Sequence, residues 1–182
     1  MNLLCMTYDQ VEDHFRRHYG KGAFHASALY KAFYRKAGLN LREIDAFDAS
    51  PDLRQRVESD LSNPMPSVFD TFEQDGVNKL AFRLHDGARV ETVVIPMANH
   101  ATVCVSCQVG CRMGCRFCET AQTGWRRDLT VDEIVAQVFM VKVRMGIDVR
   151  NVVFMGMGEP LDNYDSVIQA IRVLEDQRGL DI

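Results

Sequence analysis

No stretch of the 182-residue sequence approaches the roughly 18 to 20 consecutive apolar residues that a membrane-spanning helix needs. The first eight residues also lack a basic region followed by an extended apolar core. We therefore expect a cytoplasmic protein with no membrane partner. Positive charge is in short supply: 21 Lys and Arg stand against 25 Asp and Glu, a net charge of −4. That balance excludes a protein that coats nucleic acid without specificity, because phosphate binding requires a cationic surplus. The deficit is uneven. Residues 1–36 carry six basic side chains (Arg16, Arg17, Lys21, Lys31, Arg35, Lys36) against three acids, whereas residues 129–182 carry five against nine. Any nucleic-acid contact is expected toward the N-terminal part, or around Arg112, Arg116, Arg126 and Arg127. Cysteine is missing from most of the chain: five of the six crowd into the 15 residues from Cys104 to Cys118, and none follows. That crowding argues against a disulfide scaffold and for a metal.

With 47% hydrophobic and 25% charged residues, the composition suits one medium domain or two small ones. Ala26, Leu29, Tyr30, Phe33 and Ala37 recur at spacings of three and four, which predicts a helix stopped near Gly38. A second helix is expected over 51–61, with Ser50 as its cap and Pro51 in its first turn. Asn63-Pro-Met-Pro66 breaks the pattern. Residues 1–62 thus read as a small helical accessory domain, too short to bury much surface alone.

Residues 63–99 read as a linker and a β-hairpin extension. Strands over 79–84 and 89–95 are joined by His85-Asp-Gly-Ala88, and Leu80, Phe82 and Leu84 form the buried face. Residues 100–182 alternate: a strand over 102–105, the cysteine loop, a helix over 131–145, an apolar strand over 151–155 and a helix over 164–176. Thr130 and Glu133 fit a capping box for the first of these helices. Strand-helix-strand-helix order signals a parallel sheet, hence an α/β fold. Val152, Val153 and Phe154 predict a strand covered on both faces. Two parallel strands leave an open apolar edge, so we expect this region to be the N-terminal part of a larger barrel, either cut from a longer protein or the product of a truncated gene.

Cys111-Arg-Met-Gly-Cys115-Arg-Phe-Cys118 offers three thiolates on one loop. Three ligands on a four-iron cube leave one iron open to another group, and Gly110 and Gly114 permit the tight wrap. A zinc site remains the alternative, since Cys104-x-x-Cys107 and Cys115-x-x-Cys118 could supply four thiolates, although the seven residues between the pairs are fewer than usual. A second motif, Phe154-Met-Gly-Met-Gly-Glu-Pro160, follows an expected strand at the end where β/α barrels place their active sites. Its glycines are expected to let backbone approach a ligand, and Glu159 to accept from a ligand amine.

The cysteine spacing, with an aromatic residue before the third cysteine, resembles the radical S-adenosylmethionine superfamily. That resemblance implies a [4Fe-4S] cluster on Cys111, Cys115 and Cys118. It also implies S-adenosylmethionine on the open iron, its amino group held by the Gly158-Glu159 element. Glu91-Thr-Val-Val-Ile-Pro96, Cys104-Val-Ser-Cys-Gln-Val-Gly-Cys111, Thr120-Ala-Gln-Thr-Gly124 and Gly156-Met-Gly-Glu-Pro-Leu161 together look like the RlmN and Cfr family of RNA adenine methyltransferases, on the RlmN side. The resemblance implies methylation of carbon 2 of an adenine in 23S ribosomal RNA, with transfer RNA as a second candidate substrate and an electron donor such as flavodoxin. A monomer is expected.

By motif position, Cys104 matches the cysteine that helps remove the carbon-2 proton and then closes a transient disulfide with a methyl-carrying cysteine near the C-terminus. Glu91 matches a proton acceptor. Cys107 and Cys5 receive no role. The 64 residues after Cys118 hold no cysteine to carry the methyl group. A non-catalytic relative that still holds a cluster or RNA is therefore the alternative to the enzyme.

Overall fold

The computed structural model describes every residue except Ala37. Helix α1 spans Tyr8–Tyr19, opens on a Thr7/Gln10 capping box and stops at Gly20 in the left-handed conformation. It was not expected from periodicity, although the capping box is readable in the sequence. Helix α2, Ala23–Arg35, buries Ala26, Leu29, Tyr30 and Phe33 as the spacing predicts; the expectation for Ala37 lies outside the described residues. Helix α3, Pro51–Asp60, forms where expected, but the Ser50 hydroxyl does not cap it. At φ −139°, ψ 62°, Ser50 sits away from the extended geometry that aims a capping oxygen at the first amides.

Strands β1 (Ser67–Gln74), β2 (Val77–Arg83), β3 (Arg89–Pro96) and β4 (Ala101–Cys104) follow as an antiparallel meander. The short strands β5 (Gln108–Val109) and β6 (Arg127–Asp128) pair apart from it, and β7 (Val149–Val153) joins β4 in parallel to complete the order β1-β2-β3-β4-β7. The expected hairpin and the expected barrel strand therefore share one mixed sheet. Strand β1 was not anticipated. All eight of its residues are exposed, and a bulge between Val68 and Asp70 breaks its alternation, so it carries no period-two signal.

Helix α4 is a single turn, Glu119–Gln122, after the cysteine loop. Helix α5, Val131–Phe139, has the expected Thr130/Glu133 box and runs on into a π turn over Met140–Arg144; helix α6 is Tyr164–Leu174. Along the sheet, Leu80, Phe82, Val90, Val94 and Val103 are buried. Their alternates Lys79, Glu91 and Val93 lie on the opposite face, which opens to a cleft. This corrects the view of residues 152–154 as covered on both sides: Val152, Val153 and Phe154 are only half-buried, and β7 ends the strand order among the described residues.

A single hydrophobic core runs from Leu3 to Leu180. Phe33 stacks on Phe139 with ring centroids 4.9 Å apart. The Tyr8 N–H donates to Asp176 at 2.6 Å, and the Gln169 amide donates to the Cys5 carbonyl at 3.0 Å. The first helices thus gain from α5 and α6 the apolar partners that 62 residues cannot supply alone. Among the described residues, no helix is long and apolar enough to cross a membrane.

Candidate active site

The chain leaves β4 and continues along β7 before turning into the cysteine loop. The Val105 N–H donates to Val153 O at 2.9 Å, the Gly156 N–H to Val105 O at 3.0 Å, and the Cys107 N–H to Met157 O at 2.8 Å. The Cys107 carbonyl is also committed, accepting from the Leu129 N–H at 3.0 Å and the Asn163 amide at 2.9 Å. Cys107 is held beneath the loop, 1% exposed, and burial pushes its thiol up to about 12, with Glu159, Cys111 and Asp128 adding to the effect. Cys111 is buried, Cys118 half-buried and Cys115 exposed, the last two bridged by a Cys118 N–H to Cys115 O turn bond of 3.1 Å.

No group of three His, Cys, Asp or Glu among the described residues is gathered as a single ion requires. The four-thiolate zinc set needs Cys107, whose backbone is fastened on both sides. The donor set of Cys111, Cys115 and Cys118 is different: three thiols on one loop are the ligands that a four-iron cube with one open corner takes.

The glycines of the second motif make close approaches within the chain itself. A Cβ on Gly156 would lie 2.7 Å from the Val105 carbonyl group, and one on Gly158, whose φ is +105°, would lie 2.6 Å from Gln108 Cβ and 2.8 Å from its backbone nitrogen. Both glycines let this segment press against residues 105–108. Gly110, at φ +78°, is tighter still, since a Cβ there would stand 1.7 Å from the Gly124 oxygen. The Glu159 N–H donates to Gln108 Oε1 at 3.0 Å, and one Glu159 carboxylate oxygen caps the Leu161 N–H at 3.1 Å. Among the described residues the other oxygen has no hydrogen bond.

A buried polar network that the sequence did not disclose holds these pieces together. Gln108 is fully buried, and its amide donates to Asp128 at 2.8 Å and Asp162 at 2.9 Å. Asp162 also pairs with Arg112 at 2.7 Å, and the Arg112 guanidinium stacks 4.1 Å from the Trp125 ring centroid. The Ser106 hydroxyl donates to the Glu91 carbonyl at 2.6 Å and accepts from the Met157 N–H at 2.9 Å. Gln137, also fully buried, accepts from Thr92 and from the Ser106 N–H, and donates to the Ser106 carbonyl. Two arginines expected near nucleic acid are thereby committed within the fold: Arg112 to Asp162, and Arg127 to Asp86 and, through both terminal nitrogens, to Glu133.

Glu91 and Cys104 meet on the sheet. Val93 pairs with Cys104 across β3 and β4, so Glu91, two residues before Val93, is a diagonal neighbour of Cys104 on the same face. That relation corresponds to about 7–8 Å between strands. Glu91 is exposed and pairs with Lys79 at 3.0 Å. Cys104 is 8% exposed, and burial raises its thiol above the ordinary value, with a hydrogen bond to the Met155 backbone pulling the other way. Glu91 and Lys79 border a cleft of about 710 Å³ whose far wall is built by Glu119, Thr123 and Met157. The hairpin carboxylate, Met157 of the glycine motif and the turn that follows the cysteine loop therefore line one space.

The family model of the Radical SAM superfamily matches residues 105–182. A crystal structure of a radical SAM methyltransferase from Sphaerobacter thermophilus superposes with a TM-score of 0.84 at 32% identity, covering 100% of this chain and 54% of that one. The fold and loop are those of a radical SAM protein, whose cofactors are a [4Fe-4S] cluster and S-adenosylmethionine. Among curated proteins, the dual-specificity RNA methyltransferase RlmN of Pelobacter propionicus is 41% identical over 183 residues, covering 100% of this chain and 51% of that protein. The probable dual-specificity RNA methyltransferase RlmN 1 of Protochlamydia amoebophila is 37% identical over 182 residues, covering 98% and 50%. The chain is similar to RlmN-type RNA methyltransferases along its whole length, and it spans about half the length of the curated relatives it matches.

Proposed function

We propose that these residues form the cluster-holding and substrate-facing part of a methyltransferase acting on carbon 2 of an adenine in 23S ribosomal RNA, with transfer RNA as a second substrate and a flavodoxin-type electron donor. The observation that carries this reading is the sheet register: Glu91 and Cys104 are diagonal neighbours on one face, and Glu91 lines a cleft with Met157 of the glycine segment and with Glu119 and Thr123 just after the cysteine loop. Cys111, Cys115 and Cys118 hold the cluster, and Gly158 with Glu159 seats the amino group of S-adenosylmethionine. When bound, these cofactors supply the one-electron chemistry that an unreactive ring carbon demands. Cys104 stands on this sheet face to help remove the carbon-2 proton, a role that requires its thiolate, and then to form a disulfide with a methyl-carrying cysteine as the bond from that cysteine's sulfur to the product carbon breaks. Glu91 accepts a proton, with Lys79 balancing its charge. No cysteine follows Cys118 in this sequence, so the carrier must come from outside these 182 residues.

That same observation favours a second reading, a relative that binds a cluster or RNA without turnover. Anaerobic reconstitution with iron and sulfide tests both. A brown protein that bleaches on reduction, releases 5′-deoxyadenosine from S-adenosylmethionine and loses both properties in C111A, C115A or C118A is the expected result. Stoichiometric zinc in a colourless protein would reject the radical chemistry. Methylation of unmodified ribosomal RNA by this chain alone would reject the non-catalytic reading.

A further inference from the structure

We propose that the cleft-facing surface of β1–β3 holds an unstacked stretch of single-stranded RNA, with Phe69 and Phe72 as stacking surfaces for bases and Arg83 and Arg89 as phosphate contacts. The proposal rests on the RNA-methyltransferase reading above and adds where the strand lies.

Strand β1 is exposed along its whole length, yet it carries Val68, Phe69 and Phe72, with Phe69 42% and Phe72 57% exposed. A strand that only covered a core would turn these rings inward. Instead Phe69 carries two guanidinium groups over its ring, Arg89 at 4.2 Å and Arg83 at 5.1 Å from the centroid. Neither arginine pairs with an acid among the described residues, in contrast to Lys79, whose charge Glu91 balances. Asp70, Glu91 and Glu119 also line the cleft, so its cationic character is confined to the Phe69 end, where Arg83 and Arg89 stand over the ring and complement bases joined by phosphates. Guanidinium planes stack on bases much as rings do, so Arg89 extends the platform outward from Phe69.

The register gives the surface a direction. Phe72 pairs with Lys79, Lys79 with Val93, and Val93 with Cys104, so one row of side chains crosses the sheet from the exposed ring to the buried thiol. Phe69, Phe72 and Arg89 line the same cleft of about 710 Å³ as Glu91 and Met157. A base stacked on Phe72 thus lies on the row that leads to Cys104. Separated rings on a sheet suit a single strand, whose bases are free to splay, and not a duplex, whose bases are already stacked on one another.

The test is fluorescence anisotropy of the 182-residue chain with a labelled unstructured oligoadenylate RNA and with an RNA duplex of equal length. The single strand should bind preferentially. F69A and F72A should each weaken it by about 5- to 150-fold, the range set by roughly 1–3 kcal/mol per stacked base. F72Y, which keeps the ring, should retain binding, and all variants should melt as the parent does because these side chains are exposed. R83A/R89A should reduce the slope of log affinity against log salt by about 1.4, at roughly 0.7 per phosphate contact.

Equal binding by every variant, tighter binding of the duplex, or no binding by the parent chain would each overturn the proposal. So would sedimentation showing a parent dimer that F72A converts to monomer, since the face would then be covered by a second copy. None of these outcomes bears on 5′-deoxyadenosine release by the parent chain, which decides the radical reading separately.

Discussion

Replacing Gln137 by leucine should be among the most damaging single changes outside the cysteine loop. The side chain is fully buried, accepting from Thr92 Oγ1 at 2.8 Å and the Ser106 N–H at 2.9 Å, and donating to the carbonyls of Ser106 at 2.9 Å and Glu133 at 3.1 Å. Among the described residues the Ser106 N–H and carbonyl have no other partner. Q137L therefore strands two backbone groups in the interior, at about 1–3 kcal/mol each, and one hydroxyl that can rotate at lower cost. Burying the leucine returns part of this, leaving a net loss of about 2–5 kcal/mol from a total that is ordinarily about 5–15 kcal/mol.

Urea denaturation gives the measurement, with an unchanged m-value as the check that only stability has moved. T92V should cost about 1 kcal/mol, and T92V/Q137L should cost no more than Q137L, because the hydroxyl has already lost its acceptor. A Q137L variant within about 1 kcal/mol of the parent, or strict additivity of the two changes, would refute the reasoning.

Alkylation of the metal-free protein should label Cys115 first and Cys107 last, read by mass spectrometry. With its thiol pushed up to about 12 by burial, Cys107 presents very little thiolate at pH 8. G110A should fold but fail to take up iron and sulfide, because its Cβ has no room beside the Gly124 oxygen at the neck of the loop. F33A should cost about 3–5 kcal/mol and lower a single melting transition, since the ring is shared with Phe139; two separated transitions would contradict the shared core. Arg127 holds the Asp86 carboxyl down to about 2, so its contribution is present above the unfolded carboxylate value and is lost as pH falls through about 2. The stability difference between the parent and R127A should accordingly narrow as acid is added below pH 4, modestly because both groups are partly exposed.

What the sequence discloses depends on whether a residue's role is local. The helices over Val131–Phe139 and Tyr164–Leu174 and the hairpin carrying Leu80, Phe82 and Leu84 are legible because each repeats its own period. The three cysteines are legible because their spacing along one loop is itself the motif. Strand β1 is not, since its rings face the cleft and leave no alternating pattern. Nor are Ser106, Gln108 and Gln137, ordinary polar residues whose importance arises from partners 15 to 54 positions away. The glycines of the second motif are legible as close approaches, but the thing approached, residues 105–108, becomes visible only when the strands are laid side by side.

The core that joins Leu3 to Leu180 also bears on how such a chain emerges from the ribosome. Tyr8 finds its partner Asp176 across 168 positions. At about 5–20 residues per second, the first helix waits roughly 8–34 s for that contact to be synthesised. Through that interval the apolar faces of α1 and α2 are made but unsatisfied, so the opening third of the chain is the part most dependent on chaperone protection during translation.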